Sequence, residues 1–161
     1  MGNKGMPLGN YTSQFFANLY LNELDQFVKH KLKAKYYIRY VDDFVILHES
    51  KLQLIKWKEE INQFLKEKLK IELHPQKSRI IPLSQGVDFV GFRNFAHFKL
   101  LRKRNIRKMN QKIELYKNNK KDFSSLKESY QGWQGYAKWA NTHELRQEVK
   151  KKIIDALWDK I

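Results

Sequence analysis

The chain has 161 residues, enough for one domain with a core, and its formal net charge of +15 points a soluble chain first toward polyanions such as nucleic acid. It has no cysteine, which excludes a disulfide framework, a thiolate zinc site and a cysteine nucleophile and suits a reducing cytosol. No apolar run reaches membrane-spanning length and MGNKGMPLGN at the start holds no apolar signal segment, so a cytoplasmic protein with no membrane partner is expected.

Residues 1–10, rich in Gly with one Pro, read as a loop, after which Thr12 or Ser13 can cap a helix. Phe15, Phe16, Leu19, Tyr20, Leu24, Phe27, Val28 and Leu32 recur at three-to-four spacing and give that helix one apolar stripe. Tyr36 to Tyr40 and Phe44 to Leu47 are short β-branched or aromatic runs around Val41-Asp42-Asp43, which predicts a hairpin with two carboxylates at its turn. Both runs are apolar at nearly every position, so the sheet should be covered on at least one face.

A second amphipathic helix is expected from about Lys51 to Leu69, with Leu54, Trp57, Ile61, Phe64 and Leu65 inward. Ile71 to Leu73 and Arg79 to Leu83 predict strands flanking His74-Pro75-Gln76-Lys77-Ser78. Gly86 to Phe92 and Phe95 to Leu100 predict one more hairpin. Three helices follow, marked by Ile106, Met109, Ile113 and Tyr116, by Phe123, Leu126 and Tyr130, and by Leu145, Val149, Ile153 and Leu157; a small bundle is the simplest assembly. This last segment is the basic one: from Lys99 to Ile161, 17 Lys and Arg stand against 7 Asp and Glu, which is +10 of the +15.

Adjacent aspartates after an apolar strand must be solvated, paired or bound to metal. An Asx-type turn is the plain reading of Asp42 and Asp43. The alternative is that two carboxylates on a rigid hairpin tip hold hard divalent cations. The string Tyr40-Val41-Asp42-Asp43 resembles the YxDD box of reverse transcriptases, and other boxes stand in the family's order around it. Gly5 to Gln14 is similar to the template-positioning loop and helix start, His74-Pro75-Gln76-Lys77 to the lysine-bearing motif, Phe89-Val90-Gly91-Phe92 to the primer-grip hairpin, and Tyr130 to Ala137 to part of the thumb. Leu8 before Gly9 and Gln14 after Ser13, with Phe16 to Leu21 and Leu24-Asp25, resemble the reverse transcriptases of diversity-generating retroelements.

The resemblance implies an α+β protein, with a partial palm at 1–98, antiparallel strands backed by helices, and an all-α thumb at 99–161. It implies an RNA-directed DNA polymerase that adds deoxynucleoside triphosphates to a DNA primer on an RNA template with Mg²⁺ or Mn²⁺. Asp42 would be the main metal ligand and Asp43 its weaker companion. Lys77 would give a proton or positive charge to the departing pyrophosphate, or is a solvated lysine. Gly9, Ser13, Gln14 and Tyr40 would lie in the template and nucleotide region, against a loop glycine, polar helix-start residues and a core aromatic. Gly91 and Phe92 would support the primer backbone, or are a turn glycine and a core residue.

Arg102, Lys103, Arg104, Arg107 and Lys108 are too dense to pair with acids at helical spacing and can bind duplex phosphates. Trp133, Tyr136 and Trp139, at three-residue spacing, read as bundle core before base stacking. His30, His48, His74, His97 and His143 show no metal-ligand spacing. The family's earlier palm aspartate and its fingers have no counterpart in this sequence. The expectation is therefore one part of a longer or split enzyme, inactive alone, with a missing palm and fingers segment and a basic accessory protein among its partners. The other readings are a group II intron-like or phage-defence reverse transcriptase, or a nucleic-acid-binding remnant without catalysis.

Overall fold

The computed structural model describes residues 11–159, so Gly9 and the expected loop at 1–10 lie outside the described residues. The chain is α+β and forms two compact units, Met1–Ile81 and Pro82–Ile161.

In the first unit the expected helix forms, but only the later part of its apolar stripe packs: Leu24 and Val28 are buried, whereas Phe15, Phe16, Leu19 and Tyr20 are exposed. Helix α1 (Tyr11–Gln26) runs on through a π-helical turn at Phe27–Lys31, and α2 (Lys51–Phe64) through another at Leu65–Leu69. Their inner faces meet: Leu24, Val28, Trp57, Ile61, Leu65 and Leu69 are buried together, and the rings of Phe27 and Phe64 stack with centroids 4.2 Å apart. Ser50 caps α2, its hydroxyl accepting from the Gln53 amide at 3.3 Å. Thr12 and Ser13, expected as caps, fall inside α1.

Strands β1 (Tyr36–Tyr40) and β2 (Asp43–Leu47) pair antiparallel from Tyr36↔Leu47 to Tyr40↔Asp43, leaving Val41 and Asp42 as a two-residue turn. Alternation along the strands turns Tyr37, Phe44 and Ile46 onto the helices, while Tyr36, Ile38, Tyr40 and Leu47 stay exposed. One face of this sheet is covered, and the other is wet.

The strands expected at 71–73 and 79–83 do not form; the backbone there is irregular, with a turn at 75–77. The polar groups are used otherwise: the Asn62 side chain takes the Leu73 amide at 3.1 Å, and the Lys58 ammonium donates to the Ser78 carbonyl at 2.6 Å. Pro75 and Pro82 remove two further donors from any ladder.

The second unit begins with a three-stranded antiparallel meander, β3 (Val87–Phe89), β4 (Phe92–Asn94) and β5 (Lys99–Leu101), in place of the two-stranded hairpin expected. The expected three helices follow as α3 (Lys103–Lys117), α4 (Phe123–Ala137) and α5 (His143–Trp158). Phe92 and Leu101 from the meander share one core with Met109, Ile113, Leu126, Trp133 and Val149 from the helices. Compactness therefore divides the chain before the meander, ahead of the functional division expected at 98/99, because the meander has its apolar partners in the bundle. Of the aromatic triplet on α4 and after it, Trp133 is buried and Tyr136 packs against the core, but Trp139 is 70% exposed.

Buried Thr142, between α4 and α5, donates its hydroxyl to the Ala137 carbonyl at 2.6 Å. Beside it, Asn141 donates its amide to the Lys99 carbonyl at 2.8 Å and accepts from the Lys99 amide at 3.2 Å, tying that loop to β5. Among the described residues no helix is long and apolar enough to cross a membrane.

Candidate active-site hairpin and nucleic-acid surface

The turn between β1 and β2 is built against propensity. Val41 has φ of 55°, a left-handed conformation that a β-branched residue adopts rarely and at a cost on the order of 1–3 kcal/mol. A two-residue hairpin turn calls for a positive φ at its first position, as Val90 at 47° also shows between β3 and β4, and at Val41 side-chain contacts add to it. Arg39, the one charged side chain of β1, points to the helix side and is 10% exposed. Its Nε and Nη2 donate to the two carboxylate oxygens of Asp25 on α1 at 2.8 and 2.6 Å. Its Nη1 donates to the Val41 carbonyl at 2.6 Å and to Asn18 Oδ1 at 3.0 Å. The Tyr37 hydroxyl adds a bond to Asp25 Oδ1 at 2.6 Å.

Burial alone would raise the Asp25 carboxyl, but the hydrogen bonds from Arg39 and Tyr37 and the guanidinium charge outweigh it and hold it below the ordinary carboxylate range. The same bond pushes Arg39 up, and burial next to Asp25 pushes the Tyr37 phenol up. This pairing escaped sequence reasoning. The available signal was a lone arginine in an otherwise apolar strand, facing an aspartate in an apolar stripe.

Asp42 and Asp43 are both exposed, and among the described residues neither carboxylate takes a hydrogen bond or an ion pair. Asp42 is in the turn, and Asp43 opens β2 opposite exposed Tyr40. Two uncommitted carboxylates suit a hard cation such as Mg²⁺ or Mn²⁺ in chemistry, but they are fewer than the roughly six oxygens such an ion takes. Among the described residues no third His, Cys, Asp or Glu gathers with them. The remaining ligands would have to come from water, from substrate phosphates or from another segment.

The other expected site residues are spread over both units. Ser13 is half-buried and Gln14 exposed in the first turns of α1. Lys77 is exposed in the 75–77 turn, and no hydrogen bond or ion pair joins it to Asp42 or Asp43. Gly91, at φ of 81°, lies in the β3–β4 turn under the Tyr136 hydroxyl, which would collide with any Cβ there. Phe92 is buried and stacks on Tyr136 at 4.7 Å.

The basic run opens α3. Lys103, Arg104, Arg107 and Lys108 are exposed, away from the buried Met109, while half-buried Arg102 reaches Asp88 at 3.4 Å. Asp88 is shared with Arg93 at 3.1 Å. The first turn of α3 carries no acid, so these cations sit where the helix dipole disfavours them. Like charges at a helix N-terminus weaken the fold slightly and strengthen the field offered to an anion.

Comparison with known proteins places a family match over the first unit and the start of the second. The family described as Reverse transcriptase (RNA-dependent DNA polymerase) matches residues 1–94, more than half of the chain. Two relatives, each named Group II intron-encoded protein LtrA and both from Lactococcus lactis subsp. cremoris, are 38% identical over 61 residues. The aligned segment covers 37% of this chain and 10% of theirs, so the chain spans about a tenth of the length of the curated relatives it matches.

Proposed function

The chain belongs to the reverse transcriptase family, and from that premise we propose that it carries the metal-holding hairpin of an RNA-directed DNA polymerase. One observation carries the reading: Asp42 and Asp43 stand unpaired among the described residues on a turn whose backbone is anchored from behind by Arg39. Asp42 and Asp43 would hold Mg²⁺, or Mn²⁺, which supplies the charge that stabilises the attacking and leaving oxygens of phosphoryl transfer. Tyr40, Gly9, Ser13 and Gln14 would border the template and the incoming deoxynucleotide. Lys77 would face the departing pyrophosphate, and Gly91 and Phe92 the primer backbone.

In this reading residues 1–98 act as part of a palm and 99–161 as a thumb, whose Arg102, Lys103, Arg104, Arg107 and Lys108 follow duplex phosphates. An RNA template, a DNA primer, a segment bearing a further palm aspartate and fingers, and a basic accessory protein would be the partners, in the cytoplasm. The boxes around Gly9 and Gln14 favour a diversity-generating retroelement. The similarity to the group II intron-encoded proteins keeps an intron-like enzyme as the alternative.

A non-catalytic nucleic-acid-binding role is the second reading, favoured by the exposed cations opening α3. Primer extension on an RNA template separates the two. Extension is expected when the chain is supplied with an upstream palm and fingers segment, and it should vanish on Asp42→Asn. Binding without extension in every combination would leave the second reading.

A further inference from the structure

The geometry points to Asp25 and Arg39 as positioning residues for the two carboxylates, holding the Val41–Asp42 peptide in one orientation from behind the hairpin. The inference rests on the reading of Asp42 and Asp43 as cation ligands. The Val41 carbonyl belongs to the peptide plane that leads into Asp42, so fixing that oxygen fixes the direction in which the Asp42 side chain leaves the backbone. Arg39 Nη1 binds it at 2.6 Å.

The arginine cannot swing away, because its other two nitrogens are spent on Asp25, at 2.8 and 2.6 Å, and Asp25 is itself held by Tyr37 at 2.6 Å. The two-residue turn calls for the positive φ of Val41, 55°, but a β-branched residue holds it at a cost, so losing the bond to its carbonyl leaves that peptide freer to reorient. The pair thus does more than join α1 to β1. An ion pair of that kind would need only the charge, whereas the Val41 bond needs a planar fork that reaches a carboxylate and a carbonyl together.

Arg39→Lys separates the two roles, because lysine keeps the charge beside Asp25 and loses the fork. In the 161-residue chain, ¹⁵N NMR is expected to show a single conformer for Val41, Asp42 and Asp43. In Arg39→Lys those three signals should split or broaden while those of Ile61 and Trp57 hold. Val41→Asn in that background should bring the single set back, since asparagine tolerates the left-handed region. With the upstream segment supplied, Arg39→Lys should raise the Mg²⁺ concentration for half-maximal extension about tenfold, the scale of losing support behind a metal ligand, with the KM for primer-template unchanged.

Tip signals unchanged in Arg39→Lys, or a loss spread equally over tip and core, would overturn the inference. Asp42→Asn distinguishes its failure from that of the metal reading: extension that survives Asp42→Asn sinks the cation role, while the NMR result still decides whether Arg39 orders the turn.

Discussion

The Tyr136 hydroxyl occupies the space that a side-chain carbon at residue 91 would need. Gly91 also has φ of 81°, so two independent conditions require glycine at the turn that joins β3 to β4. Gly91→Ala should cost about 2 kcal/mol or more of stability, from backbone strain together with overpacking against the phenol. Tyr136→Phe removes the colliding atom but leaves the strain, so the double variant should recover only part of the loss. Urea denaturation of the two single variants and the double variant gives the coupling directly, and additive losses would mean that the ring simply moves aside.

The Asp25 pair predicts an acid limb. The folded-state pKa of Asp25 lies below its ordinary value of 3.8, so its contribution is present above that pH and disappears as the pH falls through the folded value. At neutral pH, Asp25→Asn should be less stable than the parent by about 2 kcal/mol or more, because Arg39 loses its counter-charge in a mostly buried place. The two melting curves should draw together only as the pH falls below 3.8 and on through the lower folded-state value, where the parent's carboxylate is protonated. The alkaline limb has the opposite sense: the raised Tyr37 pKa gives a contribution that is lost as the pH rises beyond 10.0, and Tyr37→Phe should lack that loss.

The opening of α3 can be tested by salt. Arg104→Gln, Arg107→Gln and Lys108→Gln together should weaken duplex binding without changing sequence preference, and should flatten the log-log salt dependence by about 0.9 for each phosphate no longer neutralised. Folding should be unimpaired, since these exposed cations face an unfavourable helix end. Arg102 should contribute less, because Asp88 already compensates it. An unchanged slope in the triple variant would reduce the run to a solvated face.

Thr142→Val should destabilise the second unit by about 1 kcal/mol, the low end for removing a buried hydrogen bond. The low end applies because the Ala137 carbonyl keeps the Ala140 amide at 3.1 Å after the hydroxyl is gone. Thr142→Ser should behave as the parent, and thermal melts of the three proteins decide the point.

Much of the framework was legible because it follows from period. Leu24 and Val28, Trp57 and Ile61, Met109 and Ile113, and Val149 and Ile153 stand at helical spacing in the sequence and are buried in the fold. The hairpin with its carboxylate tip was legible for the same reason, two short apolar runs around a polar break. The runs at 71–73 and 79–83 misled because a short apolar segment carries no information about whether a partner strand is within reach. The grouping of the meander with the helices depends on Phe92 and Leu101 meeting residues far along the chain, and no local pattern encodes that. The Val41 conformation runs against the preference of valine, and the two-residue turn is what calls for it, as it does at Val90 (φ of 47°) between β3 and β4; what no local pattern announces is the bond that its carbonyl takes from Arg39, itself held by Asp25 on another element.

The wet apolar face of β1 and β2 makes handling conditions part of this chain's behaviour. Tyr36, Ile38, Tyr40 and Leu47 are apolar surface open to association, and the net charge of +15 opposes the approach of a second copy. That repulsion reaches about 10 Å at 0.1 M salt and only about 3 Å at 1 M. Concentrated salt, which would weaken any hold of the basic helix on a polyanion, would therefore also shorten the repulsion between copies, so the two conditions pull in opposite directions for this molecule.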